Sequence, residues 1–134
     1  RSMGRSPYGI RVPRTVWLRH PLSLAHEVPR HPERPERIIA LEAEMERHDW
    51  FGCDVVRAPE ATREQLLAVH PAAHIDYIEE LSASGGGPID YDTIATAATF
   101  EAAVRAAGGA VALLDELLSG AAATGFSAMR PPGQ

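Results

Sequence analysis

The sequence predicts an α/β fold with three layers, in which helices cover both faces of a small parallel sheet of about three strands. Short apolar runs rich in β-branched or aromatic residues alternate along the chain with longer segments of helical periodicity. Such alternation is typical of parallel βαβ units with right-handed crossovers. The length of 134 residues and the hydrophobic content of 45% fit one domain with a core of its own.

The chain divides into a tail and a domain. Residues 1–13 are predicted to be a solvated, arginine-rich tail, and Arg1-Ser2 ahead of Met3 is typical of a cloning remnant. A phosphate-binding arm is the alternative for this tail. Residues 14–134 are predicted to be the single α/β domain.

The first strand and helix are predicted from composition and periodicity. Thr15–Leu18 is a β-branched and aromatic run that ends before His20-Pro21, which predicts a strand. A helix is predicted over residues 35–49, because proline at position 35 is favoured at the first helical position. Its predicted apolar face consists of Ile38, Leu41 and Met45. Its predicted solvent-facing residues are Glu42, Glu46 and Arg47.

The second unit begins with a predicted strand at Cys53–Val56. Thr62 and Gln65 have the spacing of a capping box, which predicts a helix start. Pro71 interrupts the predicted helical region 63–83 and starts a second stretch of helix. The apolar residues of that stretch are Ile75, Ile78 and Leu81. Residues 84–88, Ser-Gly-Gly-Gly-Pro, are predicted to be a flexible loop; no strand precedes them and no Lys-Ser/Thr follows, as a phosphate-binding loop would need.

The third unit contains the longest helical pattern, over residues 94–118. Its apolar positions are Phe100, Val104, Ala107, Val111, Leu114 and Leu118. Gly120 is placed to end the helix, and Gly108-Gly109 predicts close packing against a sheet. Gly125–Met129 is the third predicted strand, and it leads directly into the turn Arg130-Pro131-Pro132-Gly133.

Composition restricts the class of partner and compartment. A formal net charge of −5 argues against nucleic acid, and no apolar run is long enough to span a membrane. The single cysteine, Cys53, excludes an internal disulfide and favours a cytoplasmic location. Cys53 is predicted to be a half-buried strand residue, with a nucleophile as the alternative. All thirteen basic residues are arginine, which together with abundant Ala, Gly and Pro indicates a bacterial source.

Four stretches resemble the histone deacetylase superfamily, which includes acetoin-utilisation proteins and acetylpolyamine amidohydrolases. The stretches are HEVPRHPERPERI (26–38), LLAVHPAAHIDYIEEL (66–81), DYDTIATAATFEAAVRAAGGAV (90–111) and MRPPG (129–133). Their order and spacing agree with the family over nearly the whole chain from Thr15 onward. One match alone would be weak, but four in sequence are specific.

The resemblance implies a partial arginase/deacetylase-like fold with strand order 2-1-3, and a zinc-dependent hydrolysis of acetyl-lysine or acetylpolyamine. In the family, two consecutive histidines follow the Arg-Pro-Pro-Gly turn and act as general base and acid beside a zinc-bound water. The zinc ligands and a tyrosine that polarises the acetyl carbonyl come later in the chain. Here Gln134 occupies the place of the first histidine. A glutamine amide does not titrate near neutral pH, so these residues alone are predicted to be inactive and to hold no zinc.

The resemblance also assigns site residues. Arg37 and Asp92 match substrate-binding positions of the family. The positions matched to support of the pocket are His31, Glu33, Arg130 and Gly133. Two alternatives remain from the residues themselves: Arg37 could pair with Glu33 at i, i+4 on a helix surface, and Asp92 or Thr93 could cap the following helix.

The histidines of the chain are not predicted to form a zinc site. His26 lies close to His31 in sequence, and His70 and His74 have the i, i+4 spacing of a helical metal pair. Pro71 breaks the helix between the latter two, and the glutamate of a His-Glu-x-x-His motif is absent. The remaining histidines, His20 and His48, are predicted to be surface or loop residues.

The resemblance finally predicts self-association. In the family the third strand is interior, so Gly125–Met129 would here be an open sheet edge, and a homo-oligomer through that strand is predicted. The alternative is a monomer in which the amino-terminal tail covers the edge. A naturally shortened, non-catalytic module that self-associates or binds a partner is therefore the second functional hypothesis.

Overall fold

We describe residues 13–132 of a computed structural model of the chain. The strands are β1 (Thr15–Arg19), β2 (Asp54–Arg57), β3 (Gly86–Pro88), β4 (Ile94–Thr96) and β5 (Thr124–Ser127). The helices are α1 (Glu36–Arg47), α2 (Arg63–Leu67), α3 (Ala72–Ala83) and α4 (Thr99–Leu118), with two 3₁₀ turns at Pro21–Leu24 and Asp49–Gly52. No helix within residues 13–132 has the length and hydropathy needed to cross a membrane. The predictions for residues 1–12, Gly133 and Gln134 lie outside the described residues.

The central sheet confirms the predicted fold class. Its three strands are parallel and lie in the order β2-β1-β5, so that the first strand is in the middle. One row of neighbours across the sheet consists of Val55, Trp17 and Phe126, and the next row consists of Val56, Leu18 and Ser127. Successive side chains of a strand point to opposite faces, so the two rows lie on opposite faces of the sheet.

Helix α4 covers the face that carries Leu18. The buried cluster there consists of Val16, Leu18, Ala58 and Ala122, and the residues packed on it are Val56, Ala112, Leu113, Leu117 and Met129. The close packing predicted for Gly108-Gly109 is confirmed. A Cβ atom at Gly108 would collide with the backbone of Pro59, and one at Gly109 would lie 3.0 Å from the Ser127 hydroxyl.

The opposite face is covered only in part, by α1 and by the turn that follows it. Trp17 is buried there and packs edge-on against Trp50, with ring centroids 5.9 Å apart. Trp50 belongs to a turn of left-handed backbone in which Asp49, Trp50 and Phe51 all have φ near 50°. Such backbone is unfavourable for residues with a Cβ atom, which is why the sequence pattern did not predict the turn.

The predicted apolar face of α1 was partly wrong. Ile38 and Met45 are buried, but Leu41 is 40% exposed. Glu42, which was predicted to face solvent, instead accepts hydrogen bonds from Arg19 of β1 at 2.8 and 2.9 Å. Because of this ion pair, Glu42, four residues after Ile38, faces the sheet in place of Leu41, three residues after it.

Residues 84–96 also differ from the prediction. β3 and β4 form an antiparallel hairpin where a flexible loop and the start of a helix were expected. Gly86 has φ 99°, and a Cβ atom there would collide with the carbonyl oxygen of Ala95. Helix α4 starts only at Thr99, whose hydroxyl accepts a hydrogen bond from the Thr96 amide at 2.6 Å. β3 consists of Gly86, Gly87 and Pro88, so neither β-propensity nor alternation could reveal it.

Candidate functional site

Two segments of the predicted site meet at the carboxyl end of the parallel sheet. Arg130-Pro131-Pro132 follow β5, and the loop of residues 20–35 follows β1. The carboxyl ends of parallel strands lie at one edge of a sheet, and this is the edge at which open α/β sheets bind ligands. The structure therefore brings together residues that are about one hundred positions apart in sequence.

Arg130 is the centre of this arrangement, with only 2% of its surface exposed. Its Nε and Nη2 atoms donate to the two carboxylate oxygens of Glu33 at 2.5 and 2.7 Å. Its Nη1 atom donates to the carbonyl oxygens of Ser23 and His26 at 2.7 and 2.8 Å. The backbone N–H of Arg130 donates to the Ser23 hydroxyl at 3.1 Å. Arg130 is thus bonded through both its side chain and its backbone.

The charge of Arg130 controls the ionisation of Glu33. Burial acts to raise the pKa of Glu33, but the hydrogen bonds and positive charge of Arg130 outweigh it. The charge of Arg37 acts in the same direction, so the pKa of Glu33 lies below the ordinary value of 4.5. Glu33 is therefore a carboxylate at neutral pH, which is the form that a bidentate pair with arginine requires.

His26 connects this pair to helix α4. It is 7% exposed, and its Nδ1 atom lies 2.7 Å from the hydroxyl of Thr99, the first residue of α4. Burial lowers the pKa of His26, and the positive charge of Arg130 lowers it further. The imidazole is therefore neutral at neutral pH and forms part of a buried hydrogen-bonded network.

His31 and Arg37 lie next to Glu33 but at the surface of the site. The Nδ1 atom of His31 accepts a hydrogen bond from the Glu33 amide at 3.1 Å, which orders the loop ahead of α1. The Arg37 side chain is 64% exposed and its Nη1 atom lies 3.5 Å from a Glu33 oxygen. This is the i, i+4 pair left open by the sequence; the substrate-binding role of Arg37 stays a prediction.

Asp92 lies apart from the other site residues, at the tip of the β3–β4 hairpin. Its amide donates to an Asp90 carboxylate oxygen at 3.1 Å, and the residue is exposed. The alternative that Asp92 or Thr93 caps the next helix is wrong, because α4 begins at Thr99 with Ala98 at its N-cap. The proposed contact between Asp92 and substrate stays a prediction.

The described residues do not fit a zinc site. Within residues 13–132, no three His, Cys, Asp or Glu side chains are grouped so that they could hold a metal ion. The rings of His70 and His74 have centroids 5.3 Å apart, and Pro71 separates them at the start of α3.

The sequence did not reveal two buried polar residues of this edge. Ser23 is 1% exposed and bonds Arg130, whereas no motif marked it as a site residue. His20 was predicted to be a surface or loop residue; it lies in the loop directly after β1, but it is buried, with 4% of its surface exposed. Its Nδ1 atom caps the 3₁₀ turn by accepting from the Leu22 amide, and its Nε2 atom lies 3.2 Å from Arg57 Nε. The His20-Pro21 sequence, with proline at the first position of the turn, was the only available signal for this cap.

Comparisons with known proteins agree with the resemblance. Residues 31–134 match the histone deacetylase domain family. The chain is 32% identical over 128 residues to a histone deacetylase-like amidohydrolase of Pseudomonas aeruginosa, covering 95% of this chain and 32% of that protein. It is 33% identical over 118 residues to a probable deacetylase of Archaeoglobus fulgidus, covering 85% of this chain and 33% of that protein.

A solved structure has the same fold. The crystal structure of the HDA15 HD domain matches with a TM-score of 0.85 and 30% identity, covering 90% of this chain and 36% of that chain. The chain thus spans about a third of the length of the relatives described here.

Proposed function

The chain belongs to the histone deacetylase family, and we propose that it forms the amino-terminal part of a zinc-dependent deacetylase that hydrolyses acetyl-lysine or acetylpolyamine. The observation that carries this proposal is the buried Arg130, which fastens the turn after β5 to the loop after β1 at the ligand-binding edge of the sheet. The names of the relatives, an amidohydrolase and a probable deacetylase, support the same reaction class.

The roles of individual residues follow from the resemblance. Arg37 and Asp92 bind substrate, while His31, Glu33, Arg130 and Gly133 support the pocket. Residues 13–132 do not offer a set of zinc ligands. The resemblance implies that the metal ligands and the proton-transferring histidines come later in the family's domain. The sequence presents Gln134 at the first histidine position.

The corresponding prediction is that the 134-residue chain alone has no deacetylase activity and no stoichiometric zinc. Loss of general acid–base catalysis costs about 10²–10⁴-fold in rate, and loss of the metal-activated water adds to that. We expect elemental analysis to find no zinc and an assay with an acetyl-lysine peptide to find no turnover. One zinc per chain, or turnover that survives a strong chelator and Arg37→Ala, would contradict the prediction.

A longer product provides the positive test. The reading frame beyond codon 134 is sequenced, and protein made from the continuous frame is assayed with an acetyl-lysine peptide and an acetylpolyamine. Zinc-dependent hydrolysis of either substrate is the expected result. A zinc-loaded longer product that hydrolyses neither of them would overturn the proposed reaction.

A second candidate function is a non-catalytic module that self-associates or binds a partner. The specific observation in its favour is the outer edge of β5, which pairs with no strand among residues 13–132, beside Phe126, which is 61% exposed. A stop codon directly after codon 134, together with a stable oligomer of the 134-residue product, would favour this function over catalysis.

A further inference from the structure

We propose that Arg130 is a positioning residue: held by Glu33, Ser23 and His26, it fixes the course that the chain takes as it leaves β5. The inference rests on the proposed function, because in a deacetylase the groups that follow this turn must be placed accurately against the substrate. It specifies how the Arg130–Glu33 pair would support the pocket.

The first argument is the geometry of the guanidinium contacts. A planar guanidinium binds a carboxylate through two parallel hydrogen bonds, which restrict direction as well as distance. Arg130 uses one side of its guanidinium in this way with Glu33 and the remaining nitrogen for two carbonyl oxygens. Three separate segments, the 3₁₀ turn, the loop before α1 and the turn after β5, therefore meet at one side chain.

The second argument is that stability alone would not need this residue. Removing an arginine and a glutamate from water is costly, and well-packed apolar residues of similar volume are often as stabilising as a buried ion pair. An apolar side chain at position 130 could fill the same space. It could not fix an orientation, because apolar contacts are not directional.

The third argument is that the residues after Arg130 can transmit its orientation. The Arg130 amide is itself bonded to the Ser23 hydroxyl, so the backbone at this point is held. Pro131 and Pro132 follow, and each proline ring fixes φ near −65°. The residue before a proline is also restricted in its backbone angles. Little conformational freedom remains between the bonded Arg130 and the position after Pro132.

The test measures hydrogen exchange of backbone amides in the 134-residue chain, and compares the amide at position 130 with amides in the central strand β1. In Glu33→Gln, which keeps the side-chain shape but removes the charge, we expect hydrogen exchange of the Arg130 amide to accelerate at least tenfold. Exchange of the Val16 and Leu18 amides in β1 should change much less. The matched control is Glu44→Gln, which removes an exposed pair with Arg47 and should leave all three amides unchanged.

Two further variants keep the inference falsifiable. Arg130→Lys retains the positive charge but not the planar guanidinium that binds a carboxylate through two bonds. The amide at position 130 should therefore exchange faster in this variant than in wild type. Ser23→Ala removes the hydroxyl that accepts from the Arg130 amide, so it gives the exchange rate of that amide without its hydrogen bond. If Glu33→Gln fails to fold, Arg130→Lys tests the pair. Acceleration that is equal at position 130 and in β1 would assign the pair to global stability alone, and no acceleration in Glu33→Gln or Arg130→Lys would remove the role altogether. Neither outcome depends on deacetylase activity, so failure of the inference is distinguishable from failure of the proposed function.

Discussion

At the scale of single residues, we expect two buried histidines to make the fold sensitive to mild acid. His20 and His26 are 4% and 7% exposed. Burial lowers the pKa of His20, and the positive charges of Arg105, Arg57 and Arg19 lower it further. The Leu22 amide lies against Nδ1 of His20 and Arg57 Nε lies against Nε2. A neutral imidazole has a single acceptor nitrogen, so only one of these two donors can bond to the ring at a time. Protonation would leave neither of them an acceptor.

This environment predicts that the protein loses stability below pH 6.5. As the pH falls through 6.5, the ordinary pKa of histidine, the unfolded chain takes up protons at His20 and His26 before the folded chain does. The free energy of unfolding therefore decreases until the lower, folded-state pKa values are reached. Urea denaturation at pH 7.5 and 5.5 measures this decrease in the free energy of unfolding. Both pH values lie above the pKa of Glu33, whose contribution to stability is lost only at lower pH.

The matched pair of variants is His20→Asn and His74→Asn. Asparagine can still accept the capping hydrogen bond from the Leu22 amide but does not titrate. His20→Asn should reduce the difference in stability between the two pH values, whereas replacement of the exposed His74 should preserve it. An undiminished difference in His20→Asn would exclude His20 as a source of the acid sensitivity.

At the scale of secondary-structure elements, packing and helix propensity predict opposite changes in stability for one substitution in α4. Replacing glycine by alanine inside a helix normally stabilises it by about 1 kcal/mol. At Gly108 the added Cβ would collide with the backbone of Pro59 and approach that of Ala61, and backbone atoms cannot rotate away. Overpacking of this kind costs about 1–3 kcal/mol. We therefore expect Gly108→Ala to lower the free energy of unfolding by about 1–2 kcal/mol, as measured by urea denaturation.

Ala110→Gly is the control for this prediction, because Ala110 is exposed on the same helix. It should lower the free energy of unfolding by about 1 kcal/mol through propensity alone. A Gly108→Ala protein more stable than wild type would mean that α4 can move away from the segment after β2.

The elements that the sequence predicted well are those stabilised by local chemistry. The Thr62–Gln65 capping box forms as expected, with reciprocal hydrogen bonds of 3.1 and 2.9 Å, and Pro71 begins α3. The inward turn of Glu42 depended instead on Arg19 in another element, and the β3–β4 hairpin depended on a close approach of backbones at Gly86. The candidate site shows the same division: family motifs identified Arg130 and Glu33 individually, but their bond spans 97 positions and no local pattern encodes it.

At the scale of the whole molecule, the two faces of the sheet are covered unequally. α4 buries the face that carries Leu18. On the other face, Trp17 is 5% exposed, but its neighbours Val55 and Phe126 are 42% and 61% exposed. Phe126 stacks on Trp17 with ring centroids 5.5 Å apart, so the open part of this row continues to the β5 edge. An apolar row beside a strand edge that lacks a partner among residues 13–132 favours pairing with another chain.

We therefore predict that the 134-residue chain self-associates through β5 and the Phe126 face, most simply as a twofold dimer.

The Ala128 amide donates to Leu18 of β1, so by alternation along the strand the Ser127 amide points to the outer edge. Ser127→Pro removes that outward donor and Phe126→Asp places a charge on the apolar row; each should convert the oligomer to a monomer of 14.5 kDa with the circular dichroism spectrum retained. Phe51→Asp is the control, because Phe51 is 66% exposed in the turn after α1. Light scattering at micromolar concentration decides the matter: a monomeric wild-type chain would reject self-association, and a dimer that persists in both β5 variants would place the interface elsewhere.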